Sequence, residues 1–228
     1  DKVSAEFWAD ISHFEGNANA FRLLTHQFSG RRHGGFVMTY ATLAAIVKYP
    51  FASTLAGNHG KFGFFCSEAS TFKKIADELG LIRLSAPGEP LHYVRHPLVY
   101  LMEAADDICY EIMDIEDSHK LKILSFDETT ELLLGFFDKN TQTDILNRLK
   151  REGVTDENEK IVYMRACVVG KLENECVQAF VDHEDEILHG TLKGTLIDNI
   201  SEPQRLAYKR CSEISYKRIY RSKPVLDI

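Results

Sequence analysis

Seven carboxylates fall between Glu103 and Asp117, at positions 103, 106, 107, 111, 114, 116 and 117. They are threaded through apolar residues that a folded chain must bury, so some of the acids belong at the edge of a core. On a helix turning about 100° per residue, Leu101, Met102, Ala105, Ile108, Cys109, Ile112 and Met113 take one side. Asp106, Tyr110 and Asp114 then form an i, i+4, i+8 ladder along the border of that stripe. A carboxylate half-removed from water is costly unless it is paired, hydrogen-bonded or bound to a cation. Glu103 and Asp107 stand close by, and each acid makes the next harder to ionise, which favours a bound cation. The plainer reading of the same pattern is an amphipathic helix whose acids face water.

Other stretches carry weaker signals. Gly30-Arg31-Arg32-His33-Gly34-Gly35 could wrap phosphate with backbone N–H groups, or form a loop between helices. Lys48, in Lys48-Tyr49-Pro50, places a cation at the end of an apolar helix, where the helix dipole alone would favour it. Lys61, ahead of Phe62-Gly63-Phe64-Phe65, reads as a lysine snorkelling over a core segment. His92 and His96 are four apart, but Pro90 and Pro97 beside them argue against a shared helical face and hence a metal pair.

The elements that must position these groups are helices. The periodicity predicts Glu15–Phe28, Thr39–Tyr49, Ser67–Leu79 and Pro97–His119, and beyond them Thr130–Phe137, Thr141–Glu152, Asn158–His189 and Pro203–Tyr220. A loop over 83–96 separates the third and fourth, and Pro97 is suited to a first helical turn. No alternating β pattern recurs, so the expected class is all-α. The chain has 228 residues, 44% of them hydrophobic and 11% aromatic, enough for a substantial core. Its apolar runs are too short to span a bilayer. Five cysteines without a C-x-x-C spacing suggest neither a disulfide framework nor a zinc ribbon, and lead to the expectation of a reducing, cytoplasmic setting. A net charge of −7 speaks against nucleic acid as the main partner and leaves a local contact with single strands unsupported.

Four strings taken together, FEGNANAFRLLTH from Phe14, MTYATLAAIVKYP from Met38, KFGFFCSE from Lys61 and VRHPLVYLMEAADDICYEIMDIEDS from Val94, resemble successive blocks of bacterial deoxyguanosine triphosphate triphosphohydrolases. These belong to the HD superfamily of metal-dependent phosphohydrolases. The SYKRIYRSKPVLDI ending is similar as well. The resemblance implies an HD-domain-like multi-helix bundle, with residues 1–125 as part of the HD-type domain and 126–228 as a helical extension. It also implies hydrolysis of a dNTP, dGTP above all, to the deoxynucleoside and inorganic triphosphate, with Mg²⁺ or Mn²⁺. Carried over by motif, Asp106 is a metal ligand and Tyr110 and Asp114 receive the sugar 3′-hydroxyl. Asn17, Lys48, Tyr49 and Lys61 contact the triphosphate, and Glu15 lies near the metal centre as a catalytic candidate. A homo-oligomer, such as a hexamer, is implied too.

The superfamily's adjacent His-Asp pair has no counterpart here: none of the nine histidines is followed by aspartate. In relatives those ligands precede the EGNAN block, which begins at Glu15 in this chain. The expectation is therefore an internal fragment that is inactive by itself. The alternative is a catalytically inactive dNTP-binding module with a regulatory or oligomerisation role.

Overall fold

The computed structural model describes residues 3–30 and 33–221. Arg31, Arg32 and the residues after Arg221 lie outside it, and with them the arginines of the glycine-rich stretch and the end of the SYKRIYRSKPVLDI string. Among the described residues the elements are α-helices and short helical turns, with no strand, as the periodicity led one to expect. In chain order they are α1 (Ala5–Ser12), α2 (Gly16–Thr25), α3 (Tyr40–Ala45), α4 (Ala69–Leu79), α5 (Pro97–Lys120), α6 (Phe126–Leu134), α7 (Lys139–Arg151), α8 (Glu157–Asp182), α9 (Glu184–Leu188) and α10 (Glu202–Ile214). The last runs into a π-helical turn, Ser215–Tyr220. Among these residues no helix is long and apolar enough to cross a membrane.

The chain divides into two compact units, one made of residues 1–103 and 183–193, the other of 104–182 and 194–228. In the first, α2, α3 and α4 close over an aromatic core. Phe72 of α4 stacks on Phe64 at 4.4 Å and meets Phe21 and Tyr93 edge-on, each at 5.7 Å between ring centroids. These offset and edge-to-face arrangements suit the ring quadrupoles and add to the burial of large apolar area. Helix α1, which the periodicity did not mark, has Phe7, Trp8 and Ile11 exposed. Polar anchoring holds it instead: the Asp10 carboxylate accepts from the Ser53 hydroxyl (2.5 Å) and from the backbone N–H groups of Cys66 (2.7 Å) and Ser67 (3.0 Å).

Three irregular segments complete this unit and bear directly on the site. Residues 50–53, 62–64 and 91–93 are laced by single backbone bonds: Ala52 N–H to Leu91 O, Ser53 N–H to Phe64 O, Gly63 N–H to Phe51 O and Tyr93 N–H to Pro50 O, at 2.9 to 3.1 Å. The predicted helix to Tyr49 stops at Ala45. Pro50 disfavours helical backbone in the residue before it, and the Phe51 N–H turns back to Tyr49 O at 2.7 Å. Lys48 and Tyr49 therefore stand on a bent, irregular connection rather than on the end of a helix.

The imidazole of His96 does not share a helical face with His92. Its Nδ1 accepts the Leu98 N–H (3.2 Å) ahead of α5, while His92 sits edge-on to Phe51 at 5.3 Å. Burial holds the His96 pKa below its usual value. Because the folded value is the lower one, stability is complete above the unfolded value of about 6.5 and is lost as pH falls through the folded value. We expect the melting temperature to fall between pH 7 and 5 on this account, and His96→Asn, which keeps a cap acceptor that does not titrate, to flatten that decline.

In the second unit α6 packs on α8, and Ile108, Ile112, Ile115, Leu133, Met164 and Leu172 lie in the interior. Ser125 and Glu128 form a reciprocal capping box at the start of α6. The face of α5 that is buried differs from the one the helical wheel selects. Of the seven stripe residues only Ile108 and Ile112 are buried; Leu101 and Met102 are half-buried, and Ala105, Cys109 and Met113 are exposed. The buried arc runs instead through Tyr100, Ala104, Ile108, Ile112 and Ile115. The helix carries apolar residues on two adjoining arcs, and periodicity does not choose between them. The buried acids of α5 are thus Glu103 and Glu116, not the ladder. Glu116 is closed in by Lys120 and Arg165.

Candidate functional site

In the first unit the structure brings together Glu15, Lys48, Tyr49 and Lys61. Glu15 caps α2, its Oε2 accepting the Ala18 N–H at 2.9 Å, and its Oε1 lies 3.6 Å from Lys61 Nζ. Both ammonium groups approach the Tyr49 ring, Lys61 at 5.8 Å and Lys48 at 6.0 Å from its centroid. Such cation–π contacts contribute about 0.5–1 kcal/mol each where solvent reaches them. Lys48 Nζ is also 3.0 Å from Glu103 Oε1. Each lysine therefore rests on a buried carboxylate, Glu15 at 6% and Glu103 at 3% exposed, with the tyrosine between them. Asn17, half-buried, occupies the first turn of α2 that Glu15 caps.

This arrangement depends on a close backbone approach. A Cβ at Gly63 would stand 2.1 Å from Tyr49 O and 2.5 Å from Val47 Cγ1. Only glycine lets the Lys61-Phe62-Gly63 segment lie against the Lys48-Tyr49 connection. Phe62 and Phe64, both fully buried, pin that segment from the other side, while the Lys61 side chain remains about half exposed.

In the second unit Asp106, Tyr110 and Asp114 follow one another along α5, as their spacing requires. Asp106 and Tyr110 are exposed and Asp114 is half-buried. The premise that Asp106 sits at the edge of the core is thereby corrected: α5 turns its other arc inward, so this carboxylate keeps its water. Asp114 is engaged, because the Tyr220 hydroxyl donates to its Oδ2. That bond, followed by burial, pushes the Tyr220 phenol up to about 12.

Tyr220 is a residue that the sequence reading did not single out. Its signal lay in the family-like SYKRIY string, but its contact with Asp114 exists only because the π turn is tied down. The Ser212 and Ser215 hydroxyls donate to Glu111 at 2.7 and 2.8 Å. Arg218 donates to Glu128 at 2.6 Å and to Ile123 O at 2.8 Å. Single π turns within helices often coincide with functional positions.

The first group can hold an anion, since two ammonium groups and a phenol offer charge and donors at one place. The second can accept a hydroxyl, as the Tyr220–Asp114 bond demonstrates. Among the described residues no group of three or more His, Cys, Asp and Glu could hold a metal ion. Asp106 stands there as one exposed carboxylate and does not make a metal centre by itself. Of the glycine-rich stretch, His33 and Gly34 line a hollow of about 620 Å³ with Thr25, Tyr40, Thr71 and Lys74, apart from the lysine–tyrosine group.

These features define an all-α chain with Lys48 and Lys61 held beside Tyr49 in one unit and the Asp106, Tyr110, Asp114 ladder in the other. No family model matches the chain. Curated proteins do. It is 37% identical, over 98% of its length, to a deoxyguanosinetriphosphate triphosphohydrolase-like protein of Pseudomonas aeruginosa, of which it covers 50%. Against the protein of that name from Synechocystis sp. it is 38% identical over 83% of its length, covering 43% of that relative. A deoxyguanosinetriphosphate triphosphohydrolase of Serratia proteamaculans is 28% identical over 92% of the chain. The chain spans about half the length of the curated relatives it matches. Over most of its length the chain is similar to proteins named deoxyguanosinetriphosphate triphosphohydrolase or triphosphohydrolase-like.

Proposed function

We propose that the protein to which this chain belongs hydrolyses a deoxynucleoside triphosphate, dGTP first, to the deoxynucleoside and inorganic triphosphate. The observation that carries this reading is the Tyr49 ring flanked by Lys48 and Lys61, each lysine anchored on a buried glutamate. A triphosphate bears several negative charges, so two preorganised ammonium groups are the kind of partner it needs, with the Tyr49 hydroxyl and the Asn17 amide as neutral donors. On the same reading Asp114 accepts the sugar 3′-hydroxyl, a role its bond from the Tyr220 phenol imitates, and Tyr110 packs beside it. Asp106 contributes one carboxylate to a divalent ion, Mg²⁺ or Mn²⁺, which when bound polarises the phosphate and activates water. Glu15, committed to capping α2 and holding Lys61, acts here as a positioning group. Residues 1–125 would then furnish part of the catalytic domain and 126–228 its helical extension, within a homo-oligomer.

The deciding assay is release of inorganic triphosphate from each of the four dNTPs by the whole protein, with Mn²⁺ or Mg²⁺. Release from dGTP supports the reading, and no release from any dNTP sinks it. Binding of dNTP that persists in EDTA without turnover would mark a regulatory module instead.

A further inference from the structure

Asp114 is held at one oxygen and open at the other. The Tyr220 hydroxyl donates to its Oδ2, and among the described residues its Oδ1 has no hydrogen-bond partner. Glu111, one turn earlier on α5, has both oxygens taken, by the Ser212 hydroxyl at 2.7 Å and the Ser215 hydroxyl at 2.8 Å. Ser215 is itself 2% exposed, and Arg218 ties the same turn to Glu128 and to Ile123 O. The π turn that carries Tyr220 is therefore fastened to α5 and to the start of α6 independently of the phenol. Asp114 is half-buried and the Tyr220 ring keeps 52% exposure, so a solute can meet the open oxygen.

We infer that Tyr220 is a positioning residue for Asp114: its phenol holds Oδ2 and so aims Oδ1 at the 3′-hydroxyl of a deoxyribose. The inference rests on the reading of Asp114 as the sugar acceptor given above. A carboxylate offers about four lone-pair sites, so a phenol on one oxygen leaves capacity for a second donor on the other. The terminal torsion of an aspartate is broad, and a carboxylate without an anchor spreads its oxygens over many directions. A donor that fixes this torsion in advance removes the ordering cost from the binding step. Tyrosine suits the task, because a rigid ring turning about two torsions loses little freedom when it is held. Glu111, saturated by two serines, does not compete for the sugar.

The 3′-hydroxyl itself provides the readout. Hydrolysis by the whole protein, with Mn²⁺ or Mg²⁺, would compare dGTP with 2′,3′-dideoxyguanosine triphosphate, which lacks only that group. Wild type should favour dGTP in kcat/KM by roughly 10- to 150-fold, the range for a hydrogen bond to a charged acceptor. Tyr220→Phe keeps the ring and removes the donor; it should cut that preference about tenfold through the dGTP value and leave the dideoxy value within about threefold of wild type. Asp114→Ala should abolish the preference, and adding Tyr220→Phe to it should change neither substrate by more than about twofold, since the phenol acts through the carboxylate. A merely structural role would lower both substrates alike. A preference unchanged or increased by Tyr220→Phe, an equal fall for both substrates, or a further loss in the double variant would each overturn the inference, with the reading of Asp114 judged separately by Asp114→Ala. A wild type without preference for dGTP would remove the sugar reading, and the inference with it.

Discussion

Gly63→Ala should destabilise the first unit by about 3 kcal/mol and lower the melting temperature by roughly 6–12 °C. The added methyl would lie 2.1 Å from Tyr49 O, 2.5 Å from Val47 Cγ1 and 2.8 Å from Tyr49 C. Two of these atoms are backbone and cannot rotate away. The segment must retreat, which would strain the Gly63 N–H bond to Phe51 O at 3.0 Å and the Ser53 N–H bond to Phe64 O at 3.1 Å. Since the same movement carries Lys61 away from Tyr49, tripolyphosphate affinity should fall together with stability. Gly170, in the middle of α8, is the control: a Cβ there meets nothing within 4 Å. Alanine at that position should be neutral or stabilising by about 0.5–1 kcal/mol, because it lowers the entropy of the unfolded chain. Differential scanning calorimetry of the two variants checks both expectations, and equal melting of Gly63→Ala and wild type would show that the close approach carries no energetic weight.

Lys48→Met should have the opposite profile, a large loss of binding with the fold retained. Hydrogen bonds to charged groups contribute about 1.5–3 kcal/mol, so tripolyphosphate or dGTP affinity should fall roughly 10- to 150-fold. Glu103 keeps Arg95 as its partner at 2.9 Å, so the buried carboxylate is not left alone and the stability cost should stay near 1 kcal/mol. Raising the salt concentration should weaken wild type more than the variant, as expected when a charge has been removed from the contact. An affinity unchanged by Lys48→Met would take Lys48 out of the phosphate group while leaving its structural pairing with Glu103 in place.

Much of the fold was legible in the residues. Pro97 marks the start of α5 because proline fits a first helical turn, and Gly80 ends α4 in a left-handed conformation at φ 68°. The turn of Ser125 and Glu128 carries its capping box in its spelling, yet the periodicity placed that helix four residues late, since Phe126 and Asp127 do not advance the apolar pattern. Helix α1 escaped notice because Asp10 holds it through polar bonds, while Phe7, Trp8 and Ile11 remain exposed and leave no buried stripe to detect. The continuous helix predicted from Asn158 to His189 breaks at His183, between α8 and α9, where no proline or glycine signals a stop.

The site was legible in part. Lys48, Tyr49 and Lys61 entered only through the strings that resemble the family, since by residue type Lys48 read as a helix-end cation and Lys61 as a snorkelling lysine; the ladder of Asp106, Tyr110 and Asp114 stood out by spacing. Glu103 was visible only as one more acid in an acidic run, and nothing local distinguishes it from Glu111 or Asp117. What makes it different is that Lys48 and Arg95 arrive at its two oxygens from elsewhere in the chain.

The sequence by itself determined the all-α class, most of the helices and the residue types available for anion and hydroxyl contacts, because helical periodicity, capping and proline are local properties of a short stretch. Only the tertiary structure decided which arc of α5 is buried, that Lys48 and Lys61 meet across Tyr49, and that Tyr220 reaches Asp114. Those outcomes depend on segments distant in sequence being held together by isolated backbone bonds, a close glycine contact and buried ion pairs, none of which has a period that a single stretch of chain can display.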